Sequence, residues 1–286
     1  MNLLRACALV AYWTLMVPSV TAASDIVLRM TEAGQTLANA CQDVESRLER
    51  LTQDLAALRG IEKGTLKIAI LTTLQYTIPK LLGGFCAAHP GIEIALFVGN
   101  REVLLQRLTA NQDDLYIMGQ PPDQMDVDCE HFAENPLVMV APPSHPLVGR
   151  INIKPGQLRD EAFILREPGS GTRLTTERFF TAQGVLLKNR LELGSNEAIK
   201  QTVAGGLGVA VLSATTVTSE LALRELVVLD VVGLPLIRHW HVVYHKDKKL
   251  SAAASAFKAW LFAHCPAAAV SSTNPSARRP VRSKKP

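Results

Sequence analysis

Seven apolar residues, Leu37, Cys41, Val44, Leu48, Leu51, Leu55 and Leu58, recur at spacings of 4, 3, 4, 3, 4 and 3. This is the a/d seam of a heptad repeat, with the charged Glu45, Arg47, Glu49, Arg50 and Asp54 lying between its members. A helix with such a stripe leaves it wet unless a second surface covers it, most simply a second copy of the chain. Packing against the chain's own globular part is the alternative. Thr31 is placed to cap the start, and Gly60 and Gly64 to stop the helix, which gives a linker or dimerisation helix over 30–62.

After Gly64 the hydrophobic period changes from helical to an alternation of short strands and helices. Strands are expected at 65–71, 92–98, 114–118, 137–141, 162–165, 190–193, 209–212, 226–231 and 240–244. Helices are expected at 78–88, 102–109, 172–183, 197–204 and 252–264. That order specifies an α/β fold with mostly parallel sheets. At 286 residues there is material for about two compact domains.

The net charge of +4 misleads, because Arg278, Arg279, Arg282, Lys284 and Lys285 all fall in the last sixteen residues. Taking those five charges away leaves about −1, so the body is not a basic nucleic-acid surface. The tail, residues 266–286, has the Ala, Ser, Pro and basic composition of a disordered segment. Five scattered cysteines without a C-x-x-C pair exclude a disulfide framework or zinc cluster and suit a reducing compartment. Residues 1–29 pull the other way. Arg5, the apolar run 6–17 and the small residues Ala22, Ala23 and Ser24 look like a secretory signal, although too short to span a bilayer. An aberrant start is the competing explanation.

In α/β sheets, ligands sit beyond the carboxyl ends of the strands. Those ends offer Thr72 and Thr73, then Gly99 and Asn100, then Met118, Gly119 and Gln120. In the second half, Gly169, Ser170, Gly171, Thr172 and Arg173 join a strand to a helix start. There free N–H groups favour an anion, and Arg173 is a candidate bidentate clamp. The competing reading is a glycine turn capped by Thr172. Ser195 and Asn196 repeat the pattern, with Asn196 either capping the helix 197–204 or facing the cleft. Gly205, Gly206 and Gly208 read as a structural helix-to-strand return.

No catalytic set emerges. Ser170 and Ser213 lie outside any G-x-S-x-G, and no base is placed beside either. His239, His241 and His245 share a strand face, but the span is long and no carboxylate completes a metal site. Asp113 and Asp114 read as a solvated turn rather than an acid–base pair. The expectation is therefore no enzyme, no cofactor and no metal.

From Thr31-Glu-Ala-Gly34 to about Phe262 the chain resembles the LysR-type transcriptional regulators. Thr-Glu-Ala-Gly before a heptad helix is similar to the junction between the winged helix-turn-helix and the linker helix. Ala141-Pro-Pro-Ser-His-Pro-Leu147, Leu165-Arg-Glu-Pro-Gly-Ser-Gly-Thr-Arg173, Glu192-Leu-Gly-Ser-Asn-Glu-Ala-Ile-Lys200 and Val203-Ala-Gly-Gly-Leu-Gly208 are similar to the CbbR branch, which controls RuBisCO and Calvin-cycle operons.

The resemblance implies a two-lobed, periplasmic-binding-protein-like (type 2) effector domain, preceded by the linker helix. The lobes would be 65–138 plus 239–264, and 139–238. The cleft would take a small anionic metabolite such as a sugar phosphate, phosphoenolpyruvate or NADPH. Partners would be a second copy, as dimer or tetramer, or an intact LysR-type relative. A winged helix-turn-helix is expected ahead of Thr31, where only 1–29 stand, with Asp25–Met30 in the place of the wing's last strand. DNA would then be reached only through a domain absent from this chain. A cytoplasmic location follows; a periplasmic solute-binding protein is the alternative if 1–29 work as a signal.

Overall fold

The computed structural model describes residues 16–20, 26–58, 64–122 and 125–265. The apolar run before Met16, the small residues at 22–24, Gly60 and the basic tail lie outside them.

Strand β1 (Met16–Val20) pairs antiparallel with β2 (Ile26–Met30), so the end of the signal-like run is a hairpin strand. Helix α1 (Glu32–Leu58) follows at once. Thr31 caps it as expected, its Oγ1 accepting the Gly34 N–H at 3.1 Å. α1 meets β2 and the final helix of the chain, yet Leu37, Val44, Leu48 and Leu51 stay 43–55% exposed. The intramolecular contact leaves these four members of the seam uncovered.

The first lobe is built on β3 (Gly64–Leu71), β4 (Ile92–Gly99) and β5 (Leu115–Met118), with β3 pairing in parallel with both others. α2 (Ile78–Ala88) and α7 (Ala252–His264) pack on one face of this sheet. Leu66, Ile68, Ile70, Phe85, Ile117, Val242 and Phe257 form the core there. On the other face α3 (Arg101–Thr109) buries Leu104 and Leu108 against Tyr116 and Met118.

The second lobe holds β7 (Ala162–Arg166) parallel to β8 (Lys188–Leu193), together with α4 (Gly171–Ala182), α5 (Asn196–Ala204), β9 (Ala210–Ser213), the short helix α6 (Thr218–Ala222) and the two-residue β10 (Val227–Val228). Its cores centre on Leu137, Met139, Phe163, Phe180 and Val211, and on Val140, Ile199 and Leu212.

Two long strands tie the lobes together. β6 (Val127–Ala141) and β11 (Leu236–His245) run antiparallel side by side, with a bulge at Trp240/His241. They complete a seven-stranded sheet in the order β10-β6-β11-β5-β3-β4, with β9 also on β6. The fold is therefore α/β as expected, but the sheet is mixed rather than mostly parallel. Strand 137–141 begins ten residues earlier, at Val127, and strand 240–244 begins at Leu236. Asp128, Glu130, His131 and Glu134 hide the period of the added stretch because its outer face meets solvent. The expected strand 226–231 shrinks to Val227–Val228.

Candidate functional site

The cleft between the lobes is a narrow cavity of about 20 Å³, lined by Leu71, Thr72, Thr73, Asn100, Arg101, Asn135, Arg166, Ser170, Gly171, Thr172, Arg238 and Trp240. The first turns of α3 and α4 both open into it. Asn100 caps α3 by accepting the Val103 N–H at 3.0 Å, and Ser170 caps α4 by accepting from Arg173 N at 3.5 Å. Free N–H groups and the positive ends of both helix dipoles thus point at one volume.

Three arginines surround it. Arg166, 4% exposed at the end of β7, donates to Asn196 Oδ1 at 2.7 Å and to Thr72 Oγ1 at 3.1 Å, and forks onto the Glu167 carboxylate at 2.7 and 2.8 Å. Its charge is spent, but it bridges the lobes. Arg101 donates to the Gln120 carbonyl. Arg238, the third residue of β11, differs from both. It donates to the Gly171 carbonyl at 3.1 Å, and no described carboxylate pairs with it. Burial and then the neighbouring Arg101 push its pKa down, the signature of a cation held where it lacks an anion. Gly119 makes room for it, since a Cβ there would sit 2.9 Å from the guanidinium. Among the described residues Asn196 Nδ2 is buried and unpartnered, a second donor without an acceptor behind Arg166.

The expected site residues divide into groups. Thr72, Thr73, Asn100, Ser170, Gly171 and Thr172 come together in the cavity wall. Gly119 and Gln120 stand beside it, through Arg238 and Arg101. Gly99 backs onto the Phe97 ring instead. Met118 is fully buried with Ala69, Leu104 and Val243, so its side chain faces the core and not the cleft. Gly169 turns at φ +81° against Glu102, a poor seat for an anion. With Arg173 it borders an outer recess of about 480 Å³.

Arg173 is no clamp. It is bound to Glu177 at 2.8 Å, to Glu192 and to the Arg166 carbonyl, because its helical position aims it away from the cleft. The cap of α4 is Ser170 rather than Thr172, and the cap of α5 is the exposed Ser195 rather than Asn196, which is buried. Asp113 is no solvated turn: it is 3% exposed and forks onto Arg107 at 2.7 and 2.8 Å. Ser213 donates to Asn135 Oδ1 at 2.7 Å, so it serves the cavity wall rather than a nucleophile's role.

Sequence reasoning missed Arg238, Arg166, Arg101, Asn135 and Trp240. Arg238 had a signal: a lone arginine two residues into an apolar strand, Leu236-Ile-Arg-His-Trp, must be answered by something polar in space.

The LysR substrate binding domain matches residues 59–266. The RuBisCO operon transcriptional regulator of Acidithiobacillus ferrooxidans is 56% identical over 251 residues, covering 88% of this chain and 80% of that protein. The HTH-type transcriptional activator CmpR of Synechocystis is 46% identical, covering 82% and 77%. The Synechocystis CcmR regulatory domain, solved in complex with 2-PG, superposes with a TM-score of 0.69 at 47% identity, over 70% of this chain and 97% of that one. These relatives are transcriptional regulators, and the periplasmic solute-binding alternative is set aside. The chain belongs to the LysR-type transcriptional regulators, in the branch that holds the RuBisCO operon regulators.

Proposed function

We propose that the cleft senses a small phosphate-bearing carboxylate of the 2-phosphoglycolate class, and that this controls carbon-fixation genes. The observation that carries the reading is Arg238: a half-buried cation, with no carboxylate partner among the described residues, facing two helix N-termini. Burying an uncompensated cation is costly, and an anion placed there removes the cost while gaining charge-assisted bonds. The solved relative bound to 2-PG at 47% identity supports the same ligand chemistry. Thr72, Thr73, Asn100, Ser170 and Thr172 supply neutral donors for the remaining oxygens. Arg166 and Thr72 link the lobes, so a ligand drawing on both lobes favours their closed arrangement.

In this reading the lobes are 65–138 plus 239–264, and 139–238. The heptad helix pairs with a second copy or a relative. The chain works in the cytoplasm, and it binds its metabolite without turning it over. Melting curves with 2-phosphoglycolate, phosphoenolpyruvate, ribulose bisphosphate and NADPH test it. The expected result is a concentration-dependent rise in Tm with at least one phosphorylated acid, and none with glycolate. Unmoved curves with all four would refute the reading.

A further inference from the structure

A short 3-10 turn, Thr72–Tyr76, follows β3 into the cleft. Thr72 and Thr73 at its start line the cavity, while Tyr76 at its end reaches past the lining to the second lobe. The Tyr76 hydroxyl donates to Glu197 Oε2 at 3.4 Å, and the Lys200 ammonium sits over the Tyr76 ring, 4.8 Å from its centroid. Lys200 cannot swing to follow the ring. It is 3% exposed and bound to Glu197 at 2.8 Å and to Glu220 at 2.7 Å. Glu197 and Lys200 belong to α5, whose first residue, Asn196, holds Arg166 of the cavity wall. Each half of the contact is thus built into one wall of the cleft.

We propose that the Tyr76 ring on Lys200 latches the empty cleft shut, so that a metabolite has to part the two in order to bind. The latch rests on the reading that a phosphorylated acid binds here. At about 20 Å³ the cavity has room for about one water, and a phosphorylated acid needs several times that. The walls meet through Arg166, which donates to Thr72 Oγ1 at 3.1 Å and to Asn196 Oδ1 at 2.7 Å. A ligand oxygen that comes between Thr72 and Arg166 draws Thr72 away from Asn196. Tyr76 then leaves Lys200, because the 3-10 turn and the first turn of α5 are each held together by their own hydrogen bonds. The contact therefore belongs to the empty state. It lowers the apparent affinity by holding chains out of the form that admits ligand.

Titration calorimetry with 2-phosphoglycolate, and hydrogen exchange without ligand, test this on the full chain. Tyr76→Leu removes the π face and keeps apolar bulk, whereas Tyr76→Phe keeps the ring. Tyr76→Leu should bind 2-phosphoglycolate about threefold to thirtyfold more tightly than wild type, the range of a partly desolvated cation–π contact. Tyr76→Phe should stay within about twofold of wild type, since a hydrogen bond as long as 3.4 Å contributes little. Without ligand, Tyr76→Leu should speed exchange in peptides spanning 72–76 and 196–200. Peptides of α7, which contributes nothing to the cavity lining, should keep their wild-type rates.

Tyr76→Leu binding that is weaker or unchanged, or a Tyr76→Phe that behaves like Tyr76→Leu, would overturn the latch. So would exchange that is the same in all three chains or that rises in α7 as well, the mark of a loosened fold. If no phosphorylated acid binds even the wild type, the proposed ligand falls and the exchange rates alone decide the latch.

Discussion

The Arg238 guanidinium donates across the cleft to the Gly171 carbonyl, 3.1 Å away. One residue lies on a strand shared by both lobes, and the other opens the helix whose N–H groups face the cavity. A single weak acceptor does not satisfy five donors and a full charge.

That imbalance makes Arg238 costly in the empty protein and valuable in the liganded one. Arg238→Met should abolish the shift in Tm caused by 2-phosphoglycolate, raising Kd by about tenfold to a hundredfold, as expected for losing a charge-assisted bond of about 1.5–3 kcal/mol. The unliganded variant should be as stable as wild type or slightly more so, since an arginine that burial and Arg101 both disfavour is gone. Calorimetric titration paired with a ligand-free melt checks both halves. A variant that binds normally would detach the anion from this residue.

Helix 252–264 was legible because it is a continuous apolar period, and the structure keeps those bounds and caps it with Ser251. The strand ends at Thr72 and Asn100, and the loop at Ser170, were legible because α/β topology sends strand ends to one edge. Residues 127–134 were not, since one face of β6 meets water there and its pairing partner lies more than a hundred residues away. Arg238 escaped for the same reason. Its neighbours Gly171, Gly119 and Arg101 come from three other segments, and only the passage of β11 between the lobes, paired with β5 on one side and β6 on the other, brings them together. The caps lie two residues ahead of Thr172, at Ser170, and one ahead of Asn196, at Ser195, because a short polar run offers several side chains able to accept the same N–H.

Gly208 shows a local constraint of another kind. The chain returns from α5 to β9 through Val209, whose N–H donates to the Ala162 carbonyl at 2.8 Å. A Cβ on Gly208 would lie 2.1 Å from that same carbonyl oxygen. The obstruction is backbone, so no side chain can swing aside. Gly208→Ala should destabilise the chain by about 2–3 kcal/mol or more, at the upper end of overpacking costs. Gly206→Ala is a useful contrast: no atom lies within 4 Å of its added Cβ, and only its φ of +80° resists. Its cost should be nearer 1 kcal/mol. Urea midpoints of the two variants rank them.

Tyr116 couples stability to alkaline pH. Its hydroxyl donates to the Arg107 carbonyl at 2.8 Å and accepts the Asp113 N–H at 2.9 Å, within a core that also holds Leu104 and Met118. Burial first, and then the Asp113 charge, raise its pKa far above the ordinary 10.0. In the unfolded chain the phenol ionises near 10, whereas in the folded chain it does not. The unfolded state therefore holds fewer protons above pH 10, and stability falls as pH rises past that value. Tyr116→Phe should flatten this loss between pH 9 and about 11. At pH 7.5 it should cost about 1–3 kcal/mol, because two buried backbone groups lose their partner. Urea titrations of both proteins at pH 7.5, 9 and 10.5 check the crossing of these effects, and an unchanged alkaline slope would rule out Tyr116 as its source.

The heptad helix tests whether two chains meet where one leaves apolar surface exposed. Leu48 and Leu51 are 47% and 55% exposed, and neither belongs to a buried cluster of the lobes. Substituting both with glutamate should therefore leave the melting of the two-lobed body within about 0.5 kcal/mol of wild type, the range of ordinary surface changes. In a paired helix the same residues are a/d knobs, and a charge at each would be buried against a second charge from the partner. Self-association should fall by several orders of magnitude in Kd, and light scattering after gel filtration should report the mass of one chain in place of a multiple. If the double variant still assembles, the interface lies elsewhere on the surface. If instead the body melts early, the seam packs on its own lobes and Leu48 and Leu51 belong to the fold.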